Sequence, residues 1–470
     1  MAFVLQKKWQ IFFLVATSIF MSTLDSSIVN VALPYMMKDL QTHIPTIQWV
    51  VLIYLVTVSA LLLTFGRLSD IKGRRPVYVM GFTVFVAGSL LCGMAGSAFF
   101  LIFSRCIQGF GAAMLMACSP ALVVDAFPVR ERGKALGMIG AVVAAGLTIG
   151  PVVGGIILEY LSWRYIFYIN IPIGIAAALG GMIILKDFQA AGSSGEPLDI
   201  MGSLLLILVL SCFILFMTQL SKWGAFSLLS LSCAGAALLA GIGFALNESL
   251  TPYPLFDMAL LKIRLFLFPV IGAALLFAAL FVMVFLMPFY LTYPCGFSAS
   301  KTGFIMIVPF LFLLVISPVS GILYDKFGSR RLCFIGMSIL MLSLVSLLTA
   351  QPSQGVLSLL WRVGLAGVGT ALYVSPNNTV IMSSIPPYRR GIASGAVATA
   401  RNMGMVTGVA LAGLIFSSSF SSLTHGASLE KYTAAMEPVF LISFRRAMIT
   451  GVGLSVMGLL VTLVRGTESK

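Results

Sequence analysis

Apolar residues in this chain come in long unbroken runs. Fourteen of them stand out, at 10–33, 47–69, 76–97, 99–124, 133–158, 164–185, 199–219, 226–247, 264–291, 303–324, 332–350, 356–384, 391–419 and 446–464. Each is near the roughly 20 residues a helix needs to cross the apolar layer of a bilayer. Barrel strands would give short alternating stretches instead, and helices satisfy all of their own backbone groups in lipid. The pattern predicts an all-α polytopic membrane protein with fourteen transmembrane helices.

The runs repeat. Gly66-Arg-Leu-Ser-Asp70-Ile-Lys-Gly73-Arg74-Arg75 returns as Gly321-Ile-Leu-Tyr-Asp325-Lys-Phe-Gly328-Ser-Arg330, and Gly81 returns as Gly336, at an offset of 255. Arg132-Gly133-Lys-Ala135 returns as Arg390-Gly391-Ile-Ala393 at 258, as do Gly109 and Gly111 in Gly367 and Gly369. Six spans with short loops fill only about 180 residues at this span length. The excess matches the 76 residues from Asp187 to Lys262, which hold the seventh and eighth runs. The expected organisation is a six-helix bundle at 1–186, an inserted helix pair at 187–262 and a second six-helix bundle at 263–470. The segment Gln189–Pro197 (QAAGSSGEP) reads as a flexible linker at the first junction.

Composition agrees with the span count. Hydrophobic residues make up 59% of the 470 and charged residues 9%, against about 25% charged in soluble domains. The net charge of +14 sits in short clusters between runs, which excludes a nucleic-acid partner as its reason. Nineteen Lys and Arg fall in loops on the side of the N-terminus and seven on the other, Arg445 and Arg446 among them. The positive-inside rule then places both termini in the cytoplasm. The seven cysteines form no CxxC pair and no cluster with histidine, so neither a metal site nor a disulfide framework is expected.

Within the spans, charges are few. Asp25 is the one acid well inside a run, and Ser18, Ser22 and Asp25, at i, i+4 and i+7, share one helix face expected to line a cavity. Arg105, Arg362 and Arg401 are the three basic residues well inside runs, away from their ends. Asp25 lies about 22 Å from the N-terminal side, and Arg105 about 9 Å from the opposite side, at 1.5 Å per residue. The two are therefore at similar depth. Gly146, Gly150 and Gly154 form a stripe that admits a close neighbour, beside Pro151 and Gly155. Asn30, Gln108 and the pair Asn377 and Asn378 add neutral polar groups at depth.

The loop Gly66–Gly81 (GRLSDIKGRRPVYVMG) resembles the signature between the second and third helices of the major facilitator superfamily. LDSSIVNVALP (Leu24–Pro34) resembles the first-helix motif of its fourteen-helix drug:proton antiporter branch, RCIQGFGAA (Arg105–Ala113) the superfamily's fourth-helix motif, and GLTIGPVVGG (Gly146–Gly155) with WRYIFYINIPIG (Trp163–Gly174) the antiporter motif of the fifth helix and the loop after it, in the same order. The resemblance implies a latch on the cytoplasmic side built from Gly66, Asp70, Gly73, Arg74, Arg75, Asp325 and Arg330. It implies a seal between the halves from Gly146, Gly150, Pro151, Gly154 and Gly155, and proton coupling by Asp25 with Arg105. Ser22, Asn30, Gln108, Asn377, Asn378 and Arg401 are expected to line the cavity.

The function so implied is proton-coupled export of lipophilic or amphiphilic small molecules across an inner membrane, by a monomer that alternates access. The energy source is the proton gradient, with no cofactor. The alternative is a dedicated exporter of one metabolite or lipid on the same fold. A membrane enzyme would need a metal cluster, a nucleophile triad or a phosphate loop, and the sequence has none. Lacking a nucleotide-binding motif, the chain is not an ATP-driven pump.

Overall fold

In the computed structural model, residues 2–186, 198–224, 226–252, 254–386, 390–427, 429 and 432–466 are described. The proposed linker 189–197 lies outside them. The described residues form fourteen helices long and apolar enough to cross a bilayer. The first six are α1 (Ala2–Asp39), α2 (Trp49–Lys72), α3 (Arg74–Gly93), α4 (Ala98–Ala126), α5 (Arg132–Tyr160) and α6 (Asn170–Ile184). Next come α7 (Ile200–Trp223) and α8 (Leu228–Leu250). The last six are α9 (Arg264–Thr292), α10 (Ala299–Phe327), α11 (Ser329–Leu347), α12 (Gly355–Ser383), α13 (Arg390–Leu423) and α14 (Glu437–Val464). Several begin on a side chain that takes up a free backbone N–H, as Ser97 does for Phe100, Asp199 for Gly202 and Ser298 for Lys301. An even number of spans leaves both ends of the chain on one face, the terminal face.

The two sets of six pack alike. In the first, α1 packs on α5, α3 on α4 and α6, and α2 on α4. In the second, α9 packs on α13, α11 on α12 and α14, and α10 on α12. The repeated glycines explain why. A side chain on Gly111 of α4 would run into the backbone of Gly81 and Phe85 on α3, and one on Gly369 of α12 into that of Gly336 on α11. These are the same crossing in each half, close enough that only hydrogen fits. The loop glycines match as well. Gly73 and Gly328 have φ of 89° and 73°, which disfavours any side chain at the turn.

Between the halves, α5 packs on α10 and α2 on α13, the same relation with the halves exchanged, while α1 meets α9. The inserted α7 packs on α2 and α13 at the edge of this seam, and α8 packs chiefly on α7. Leu229, Leu238, Leu239, Ile242 and Leu246 of α8 are exposed, an apolar face suited to lipid.

One boundary departs from the sequence pattern. The last helix begins at Glu437, so Arg445 and Arg446 lie inside it rather than in the preceding loop. Long basic side chains interrupted the apolar run, but the backbone continues through them. Arg446 donates to Ser419 on α13.

Replacing Gly369 with valine is expected to lower the unfolding temperature in detergent by several degrees, since overpacking costs about 1–3 kcal/mol. Gly453→Val faces open space and serves as the control. Equal unfolding temperatures for the two variants would contradict the packing account.

Candidate functional site

Asp25, midway along α1, is completely buried. One carboxylate oxygen accepts from the Arg105 guanidinium of α4 at 2.5 Å. The other accepts from the side-chain amides of Gln108 at 2.9 Å and Asn170 at 3.1 Å. Arg105, 1% exposed, also donates through Nε to the Val50 carbonyl at the start of α2, at 3.0 Å, and through its terminal nitrogen to Gln108. Its guanidinium lies 4.2 Å from the centre of the Tyr54 ring. Gln108 donates on to Ser89 of α3 at 2.8 Å. Five helices of the first half, α1, α2, α3, α4 and α6, thus meet at one ion pair.

A burial this complete means the charges are matched to each other rather than to water. Breaking such a pair by removing one partner typically costs about 3–5 kcal/mol, because the remaining charge is stranded.

The position of this cluster corrects the expected orientation of α1. Ser18 is buried and bonded to Ser119 and Tyr78, Ser22 is 2% exposed, and Asp25 is enclosed. The polar stripe faces the interior of the first bundle and not a cavity between the halves. Gln108 and Asn30, expected at the cavity, are buried in the same packing. Helical periodicity groups residues on a face but does not say which neighbour covers it. Asn170, Ser89 and Tyr54 join the cluster without having been expected there. Asn170 had a signal, since it is the one amide in the Trp163–Gly174 motif.

That motif fixes the face opposite the termini. Trp163 and Arg164 both donate to Asp39 at the end of α1, each at 2.9 Å, and Arg164 also reaches the Ala95 carbonyl at 3.0 Å. Next to it, the glycine stripe of α5 serves two partners. Side chains on Gly146, Gly150 and Gly154 would strike Thr23, Ser27 and Ile28 of α1. One on Gly155 would strike the Ala299 backbone of α10, and one on Gly303 the Pro151 carbonyl. The Ser300 amide donates to Glu159 at 3.1 Å, joining α10 to α5 on that face.

On the terminal face, Arg74 pairs with Asp125 at the end of α4 and lies 3.5 Å from Asp70. Gly66 sits a turn before Asp70 on α2 with open space around it. Arg75 donates to the Met182 carbonyl near the end of α6 at 3.0 Å, and its repeat partner Arg330 to the Leu463 carbonyl near the end of α14 at 2.5 Å. Each arginine thereby caps the last turn of the sixth helix in its own half, where the dipole favours a cation. Asp325 is exposed. Asp125 was not anticipated as a member of this group, for it has no counterpart in the second repeat.

In the second half, Asn377, Asn378 and Arg401 come together. They line a small, partly open cavity between α9, α12 and α13, with Phe277 and Tyr373 among its lining residues. Arg362, the repeat partner of Arg105, is 6% exposed and reaches Thr349 at 3.4 Å. No carboxylate matches Asp25 there, since the corresponding stretch Leu280–Met283 of α9 is apolar and buried. Among the described residues no cluster of His, Cys, Asp or Glu could hold a metal ion.

A model of the Major Facilitator Superfamily matches residues 15–409 and 269–467. The riboflavin transporter RibZ of Clostridioides difficile is 36% identical over 433 residues, spanning 92% of both chains. The multidrug resistance protein Stp of Mycobacterium tuberculosis is 31% identical, over 88% of this chain and 77% of that protein. The tetracenomycin C resistance and export protein of Streptomyces glaucescens is 30% identical, over 88% and 76%. Among solved structures, an inward-facing bacterial homologue of the lysosomal transporter Spinster covers 98% of this chain and 97% of its own, with a TM-score of 0.69 and 14% identity. The peptide transporter POT in complex with sulfate gives 0.69 and 14%, over 97% and 95%. Likeness at that identity shows the fold alone.

A double-mutant cycle on Asp25→Asn and Arg105→Gln should show strong coupling, at least about 2 kcal/mol in unfolding free energy. Each single variant should unfold well below the wild type in detergent, with the double variant recovering part of the loss. Additive losses would mean that the two side chains do not act as a pair.

Proposed function

The chain belongs to the major facilitator superfamily, and we propose that it is a proton-coupled antiporter that exports lipophilic or amphiphilic small molecules by alternating access. The two halves, 1–186 and 263–470, rock about the seam of α5 with α10 and α2 with α13, with the inserted pair riding at its edge. The observation that carries the reading is the buried Asp25–Arg105 pair. It is a titratable group whose charge state decides how five helices of one half hold together. Protonated, Asp25 no longer attracts Arg105, and α1 is released from α4 and α6. Deprotonated, the pair reforms and the first half regains the arrangement described above.

The other parts take complementary roles. The α5 glycines allow α1 and α10 to approach and keep the path between the halves shut to leakage. Arg74 with Asp70 and Asp125, and Arg75 and Arg330 on their helix ends, hold the terminal face of each half as a rigid lever. That face is cytoplasmic by its basic loops, in the plasma membrane of a bacterium, with the protein acting as a monomer. The export and resistance proteins among the relatives favour a lipophilic cargo.

A second reading, transport of one metabolite, is favoured by the likeness to the riboflavin transporter across 92% of both chains. The fold and the coupling residues would be unchanged, and only the cavity would differ. Competition separates the two. A multidrug exporter has its transport of one dye inhibited by many unrelated lipophilic compounds, a dedicated carrier by close analogues of one.

In proteoliposomes with an imposed proton gradient, the wild type should move its substrate uphill, and Asp25→Asn should not. The variant keeps size and hydrogen bonding but cannot titrate. It should retain at most about a hundredth of the uphill rate, the scale on which loss of a proton-transfer group is felt. Undiminished uphill transport by Asp25→Asn would defeat the assignment of coupling to Asp25.

A further inference from the structure

The cavity of the second half holds a charge with no protein counter-charge. Arg401 stands eleven residues into α13, about 16 Å from its start at the rise of a helix. Among the described residues its guanidinium makes no hydrogen bond and no ion pair, and its Nε is buried without a partner. The Phe277 ring lies 5.9 Å from it. No acidic side chain lines the cavity. On the same wall Asn377 commits its amide N–H to the Pro269 carbonyl at 3.0 Å, which leaves its buried Oδ1 without a donor. Arg105 shows what a balanced arginine looks like in this protein, with a carboxylate at 2.5 Å. Arg401, partly exposed and lining the cavity, has no carboxylate beside it among the described residues.

We propose that this cavity binds planar aromatic compounds that carry an anionic oxygen. Arg401 supplies the fork of donors and the charge that a phenolate, carboxylate or ionised imide oxygen needs. Asn377 Oδ1 accepts a neighbouring N–H or O–H of the same ligand. Phe277 and Tyr373 are the aromatic residues among those that line it, a surface suited to a ring. A cationic drug of the same shape meets an unscreened positive charge and leaves Arg401 unsatisfied, so the cavity selects against it. The assignment rests on the reading of the protein as a carrier of lipophilic small molecules, and it narrows that class by charge.

The test is binding to the purified protein in detergent at low salt, read by fluorescence anisotropy, with two dyes on one tricyclic ring system. Fluorescein carries the anionic oxygens and rhodamine 123 a positive charge. Fluorescein should bind at least tenfold more tightly than rhodamine 123 to the wild type. Arg401→Gln should weaken fluorescein at least tenfold while leaving rhodamine unchanged or tighter, and Arg401→Lys should restore part of the preference. The wild-type comparison stands without any variant having to fold. Absent fluorescein binding, equal or tighter rhodamine binding, or an Arg401→Gln variant that weakens both dyes alike would overturn the proposal. No proton gradient is involved. Dye discrimination without uphill transport would uphold the cavity and defeat the export reading, and uphill transport of rhodamine 123 in preference to fluorescein would do the reverse.

Discussion

A guanidinium in the apolar layer of a membrane must be neutralised or wetted, and the first half of this protein is organised around how that is done for Arg105. The neutralising group, Asp25, comes from a different helix, so the electrostatic solution is also a tertiary contact. Gln108, Asn170, Ser89, Tyr54 and the Val50 carbonyl complete the shell. In lipid, where no hydrophobic force drives helices together, such a polar centre has few competitors as the determinant of how α1, α2, α3, α4 and α6 sit. Under the proposed function, a group at that centre able to lose its charge would give the bundle two states separated by one proton.

The second half shares the architecture without the centre. Its glycines repeat the crossings of the first half, Gly336 with Gly369 as Gly81 with Gly111. Its basic loop also repeats, with Arg330 on Leu463 as Arg75 is on Met182. Yet Leu280–Met283 stands where Asp25 would be, and among the described residues Arg362 and Arg401 have no carboxylate partner. Duplication preserved what packing requires and released what chemistry does not require twice. The division of labour that follows puts the titratable pair in one half and the cavity with the uncompensated cation in the other.

Much of this was legible in the residues alone. The fourteen runs give the span count, and the doubled Gly66–Arg75 segment with the excess of 76 residues led to the expected repeat and insertion. Counting turns from opposite faces put Asp25 and Arg105 at one depth, and they are in contact. Other features were not legible, for physical reasons. Whether the Ser18–Ser22–Asp25 face meets its own bundle or a cavity depends on which helices surround α1, and local periodicity is silent on that. Ser89 and Tyr54 are common residues whose importance comes only from standing beside Arg105. The start of α14 was misplaced because two arginines inside a helix look like a loop to any hydropathy count.

The central claim is that one proton on Asp25 governs the arrangement of the first half. Proton release on substrate binding, measured with a pH indicator on the purified protein in weakly buffered detergent, tests it most directly. The account predicts release by the wild type and none by Asp25→Asn at saturating substrate. Release of equal size from that variant would show that the proton resides elsewhere, and the account would be wrong.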